Sequence, residues 1–173
     1  SVQKHTSIEN LFGRNPYPWR KAIETMSDKF IETVEKYLPM NYYTNALTGG
    51  FDGRTLVSAG LYYNRDFSTY SFGSNSSDDV KIAEALSPQA HLTYKKIELD
   101  QEYIAKNSLE CGREFIMNSS GTATFARAHY LYAAKQLSRN NEHIITGNFG
   151  SEIFRAVHIS GVVISSNLFT LFN

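Results

Sequence analysis

The chain has 173 residues, about one domain's worth and long enough for a real core, and nowhere does it approach the ~18 uninterrupted apolar residues that span a bilayer. Its 17 basic residues balance 17 acidic ones, which removes the electrostatic footprint that drives non-specific binding to nucleic acid or an anionic membrane. A lone cysteine, Cys111, rules out an internal disulfide, no CxxC pattern marks structural zinc, and no signal pattern opens the chain, so a soluble, cytoplasmic protein is expected.

Residues 1–20 read as an irregular lead-in, because residues 15–19 (NPYPW) carry two prolines that resist helix. Ile23, Met26, Phe30, Val34 and Leu38 then recur at helical spacing and predict an amphipathic helix up to Pro39. Residues 42–47 are short, tyrosine-rich and bounded by turn residues, as a buried strand would be. A helix over 55–63, a strand over 68–72, a helix over 78–86 and a strand over 92–99 follow. Segment 100–123 is expected to hold a short helix and then the polar turn 118–122 (NSSGT). Ala126, Tyr130, Ala133 and Leu137 mark a further helix, residues 143–146 a short strand, and 150–157 another helix start.

Strands alternating with helices at this spacing predict an α/β fold with a doubly wound, mostly parallel sheet and helices on both faces. One domain over 1–173 is expected. The apolar residues Val162, Val163, Ile164, Leu168, Phe169, Leu171 and Phe172 close the chain. They suggest either a piece of a longer protein or a last element that docks back on the core.

In a parallel sheet, ligands bind beyond the carboxyl ends of the strands. Three polar, glycine-containing segments are predicted there: 48–53 (TGGFDG), 72–77 (FGSNSS) and 146–151 (TGNFGS). Loops of this composition let backbone N–H groups approach phosphate oxygens, and a following helix start adds a favourable dipole. Asp52 would then hold a magnesium ion bridging those oxygens. The same residues also suit an ordinary strand-to-helix turn, since Asp-Gly is a turn signal that needs no ligand. Neither the Walker pattern nor GxGxxG is present. Arg54 is placed either to reach a phosphate or to lie solvated. His91, His129 and His143 share no ligand spacing and read as structural or surface residues. Cys111 reads as a semi-buried thiol, and Trp19, Tyr42, Tyr43, Tyr62 and Tyr63 as core or its edges.

Taken in order, these segments resemble the ATP pyrophosphatases of the asparagine synthetase type. The family's SGGxDS loop is matched by Thr48, Gly49, Gly50, Phe51, Asp52 and Gly53. Residues 69–73 (TYSFG) look like its TFSxG strand ending, and 77–83 (SDDVKIA) like its SDExxxA helix. His91 and residues 94–99 lie where the family has its third strand. Residues 118–122 resemble its DxPxxDxS region and 147–154 (GNFGSEIF) its GxGxDELF motif. The resemblance covers roughly residues 40–155.

It implies a Rossmann-like, adenine nucleotide alpha hydrolase-like fold that binds ATP, adenylates a carboxylate and passes it to ammonia or an amine, releasing AMP and pyrophosphate. By position, Thr48, Gly49, Gly50, Asp52, Gly53 and Arg54 would hold the phosphates. Leu47, Phe72 and Gly147 would border adenine and ribose, and Asp52 and Glu152 would serve Mg2+. The family's catalytic lysine and its glutaminase domain have no counterpart in these residues, so no catalytic side chain is assigned. Gly53 replaces a serine, Asn148 stands where an acid is usual, and Ser151 replaces the second magnesium carboxylate. A degenerate nucleotide-binding or scaffold domain is therefore the alternative.

Overall fold

The computed structural model describes residues 18–138 and 143–148. The chain divides into two compact units, Ser1–Leu38 and Pro39–Asn173. In the first, helix α1 (Trp19–Tyr37) starts directly after Pro18, so the last two residues of the expected lead-in are helical. Proline is tolerated here because the first turn has no intrahelical use for its missing N–H. Along α1, Glu32 accepts from Lys29 at 2.6 Å and from Lys36 at 2.8 Å. Those bonds, Lys29 foremost, hold its carboxyl at about 2. Such exposed pairs add little stability.

The second unit runs β1 (Tyr43–Ala46), α2 (Phe51–Tyr62), β2 (Phe67–Gly73), α3 (Asp78–Gln89), β3 (Tyr94–Glu98), α4 (Gln101–Lys106), α5 (Ser108–Asn118), a 3-10 turn (Phe125–Arg127), α6 (His129–Leu137) and β4 (Ile144–Ile145). The described strands form one parallel sheet in the order β3-β2-β1-β4. Successive strands therefore step outward from β1 to β3, and β4 then returns to the opposite side of β1. The doubly wound α/β architecture expected from the alternation is present.

Alternation along the strands divides the sheet into two different faces. On one, Tyr43 stacks on Phe67 with ring centroids 5.1 Å apart, against α2. The same face carries Asn45, Thr69 and Ser71, all buried. Burial calls for partners, and the Asn45 amide nitrogen and the Thr69 and Ser71 hydroxyls have them, whereas Asn45 Oδ1 and the Tyr43 hydroxyl have none. Asn45 Nδ2 donates to the Ala46 and Gly53 carbonyls, Thr69 and Ser87 hydroxyls meet at 2.7 Å, and Ser71 meets the Tyr94 hydroxyl at 2.6 Å. The opposite face carries one buried polar pair, the Thr44 and Ser68 hydroxyls 2.9 Å apart, and is otherwise apolar. There Tyr70 and Ile97 pack with Ala133 and Leu137 of α6, with Ala46, Phe72 and Ile144 at the margin. Helices α2 and α6 thus cover opposite faces.

Three expectations shift. Helix α2 begins at Phe51 rather than Thr55, so Asp52, Gly53 and Arg54 belong to its first turn. A Cβ on Gly53 would lie 2.8 Å from the Ala46 carbonyl oxygen, so glycine is what lets the helix start this close to the strand. Segment 100–123 holds two helices, α4 and α5, which meet at Asn107. Helix α3 continues past Leu86 to Gln89, with Pro88 in its final turn. The helix start expected over 150–157 and the apolar terminal run lie outside the described residues.

Candidate functional site

The change of direction in strand order falls between β1 and β4, which is where open parallel sheets leave a crevice at their carboxyl edge. A cleft of about 240 Å³ lies there. Thr48, Gly50, Asp52, Gly53, Phe72 and Gly147, all singled out in the sequence, line it. Thr146 and Asn148, from the expected segment 146–151, complete the wall together with Ala46, Tyr70, Ser71 and Tyr130, which were not anticipated as site residues.

Gly147 joins the two sides. A Cβ at this position would lie 2.8 Å from Asp52 Cβ and 2.9 Å from the Asp52 carbonyl carbon and the Gly53 nitrogen. The segment after β4 therefore rests directly on the first turn of α2. Gly50, extended at φ −69° and ψ 154°, is the residue that enters this helix. The first-turn amides of a helix have no intrahelical acceptor and carry the positive end of its dipole. Asp52 places a carboxylate in that turn, which the dipole favours.

The approach to the helix is held by two side chains. The Gly49 N–H donates to Asp79 Oδ1 at 3.0 Å, and the Gly50 N–H donates to Thr48 Oγ1 at 3.1 Å. Arg54 is turned elsewhere: its guanidinium lies 4.7 Å from the centre of the Phe51 ring and Nε donates to the Gly50 carbonyl at 3.2 Å. Gly49 packs toward Ile82 of α3, and the Leu47 side chain is in the core with its N–H bonded to the Tyr70 carbonyl at 2.8 Å. None of Leu47, Gly49 and Arg54 lines the cleft. Glu152 and Ser151 lie outside the described residues.

The far wall is aromatic. Phe72 meets Tyr130 edge-on at 5.3 Å and His129 at 4.8 Å, and Tyr70 lies 6.4 Å from Phe72. Burial, with Tyr130 as a neighbour, pushes the Tyr70 phenol up to about 12, so it stays neutral. Burial likewise lowers His129, assisted by Arg127 and opposed by a hydrogen bond with the backbone of Ala126. This end of the cleft is uncharged at neutral pH. The helical periodicity that placed Tyr130 with Ala126, Ala133 and Leu137 hid it among packing residues; only the packing of α6 against the end of β2 brings it beside Phe72.

No family model and no curated protein matches the chain. Among solved structures, an NH3-dependent NAD synthetase from Campylobacter jejuni, in complex with the nitrate ion, is similar at 19% identity and a TM-score of 0.43. The match covers 80% of this chain and 60% of that one. Among the described residues, no three or more of His, Cys, Asp and Glu gather as a metal site, and no helix is long and apolar enough to cross a membrane. Cys111 is buried and free, and burial raises its thiol.

Proposed function

We propose that the second unit is an ATP-binding domain of the ATP pyrophosphatase type, part of an enzyme that adenylates a carboxylate and transfers it to ammonia or an amine. One observation carries the reading: the cleft at the β1/β4 switch is two-ended, with a helix N-terminus, glycines and Asp52 at one end and Phe72 with Tyr130 at the other. A phosphate chain suits the first end and a purine with its ribose the second.

Asp52 gives the phosphate end its condition. A carboxylate beside a polyphosphate is repulsive unless a cation lies between them, and a hard cation such as Mg2+ takes oxygen ligands from both. Asp52 would hold the ion together with the phosphate oxygens, and Glu152 is the nearest further acid in the resembling motif. The ion would neutralise charge on the departing pyrophosphate; Thr48, Gly50 and Gly53 would orient it.

Calorimetric titration with ATP tests this. Magnesium-dependent binding is expected, weakened about tenfold or more in Asp52→Ala, and the full-length parent should release pyrophosphate from ATP when offered its carboxylate. Titration without any heat, for wild type with or without magnesium, would sink the reading. The alternative is a degenerate nucleotide-binding or scaffold domain, favoured by Ser151 and Gly53 in the resembling motifs. Binding of ATP that ignores magnesium and Asp52 would select it.

A further inference from the structure

We infer that Asp79, on the first turn of α3, is a positioning residue for the phosphate end of this cleft, acting through Gly49; the inference rests on the nucleotide reading above. Two adjacent glycines, Gly49 and Gly50, lead from β1 into α2, and such a pair is the most conformationally free stretch a backbone can have. In the structure it is fixed at both residues. Thr48 Oγ1 holds the Gly50 N–H from within the loop, and Asp79 Oδ1 holds the Gly49 N–H from a different helix.

The direction of that second bond matters. Gly49 and Asp79 do not line the cleft, whereas Thr48 and Gly50 on either side of Gly49 do. A Cβ on Gly49 would point at Ile82 Cδ1, 2.7 Å away, and at Asp79 Oδ1, 3.4 Å away, so the residue is packed back against α3. Asp79 therefore does not occupy the place of a ligand. It pulls the middle of the loop away from the crevice, and so presents Thr48, Gly50 and the start of α2 to it. A carboxylate accepting from a backbone N–H is among the stronger of such bonds, and a loop fixed in its binding shape saves ordering entropy when the ligand arrives. Asp79 is itself exposed, so changing it leaves the core intact.

The 173-residue chain, titrated in the presence of magnesium separately with inorganic pyrophosphate and with adenosine, tests the assignment. Asp79→Ala is expected to weaken pyrophosphate binding about five- to tenfold, the loss of one hydrogen bond, while adenosine binding stays as in wild type. Asp79→Asn, whose side-chain carbonyl can accept the same N–H, should recover most of the loss. Amide exchange at Gly49 should quicken in Asp79→Ala and not in Asp79→Asn. Wild-type affinity for pyrophosphate in Asp79→Ala overturns the inference, as does an equal loss for adenosine, which would mark general loosening. Wild type that binds no pyrophosphate removes the nucleotide reading and this inference together; wild-type binding left intact by Asp79→Ala removes the inference alone.

Discussion

The loop after β1 and the loop after β2 leave the same edge of the sheet, and both are rich in glycine and hydroxyl residues. The second is tied chiefly to itself, the Ser77 N–H donating to the Ser74 carbonyl and the Ser74 and Ser76 hydroxyls meeting at 2.9 Å, with Lys96 of β3 donating to Asn75. The first is held from outside, by Asp79 on one side and by the backbone around Gly147 on the other. Beyond β2 itself the second loop gives the cleft no residue, whereas the first gives Thr48 and Gly50 and leads into Asp52 and Gly53 of α2. Composition made the loops equal, and strand order made them different, because β4 lies beside β1 and not beside β2.

The sharpest way to break this comparison is a matched pair of substitutions. Gly147→Ala forces a Cβ against the backbone of Asp52 and Gly53, which cannot turn aside as a side chain can; a loss of about 2 kcal/mol in urea unfolding is expected, with ATP affinity reduced about tenfold or more. Gly73→Ala, at φ +153° and with only the side chains of Val80 and Ser77 within 3.4 Å, should lose about 1 kcal/mol and leave ATP affinity unchanged. Equal effects on ATP affinity from the pair would mean that both loops belong to the site. Tyr130→Ala comes next: removing the ring beside Phe72 should weaken ATP about fivefold or more and leave pyrophosphate alone, as measured by calorimetry. Arg54→Ala is the smallest, with less than about 0.5 kcal/mol in stability and under about twofold in ATP affinity, since its guanidinium rests on Phe51 outside the cleft. A large loss there would show that the arginine swings onto the phosphates.

Strands β1, β2 and β3 were legible because each is a short run carrying aromatic or β-branched residues between clear breakers, and α1 and α3 because their apolar spacing is helical. The start of α2 was not, because three glycines within residues 49–53 read as breakers. Gly53 lies inside the helix for a reason no local pattern carries, the closeness of the Ala46 carbonyl. Helix α5 was equally obscure, since two of its four large apolar residues, Leu109 and Met117, are exposed and its buried positions are the small Cys111 and Gly112. For the site, the glycine loops, including Thr146 and Asn148 of segment 146–151, and Phe72 were visible as strand endings, while Tyr130 depended on α6 packing against the end of β2. Arg54 was expected near phosphate from its position in the first turn, but the turn points its side chain along Phe51.

The pairing of Thr44 with Ile144 sets the order in which this molecule can be assembled. Strands β1 to β3 and the helices between them are neighbours in sequence, so they can collapse as soon as they leave the ribosome. One flank of the cleft must wait until residues 144–148 have been synthesised, and closing so long a loop is then slow as well. During that interval β1 is an edge strand with unpaired backbone groups along the side that β4 will take. On the reading proposed above, a nucleotide would recognise the molecule only once β4 is in place, and its presence should act as a late brace, shifting the balance toward chains that have completed the β1–β4 pairing.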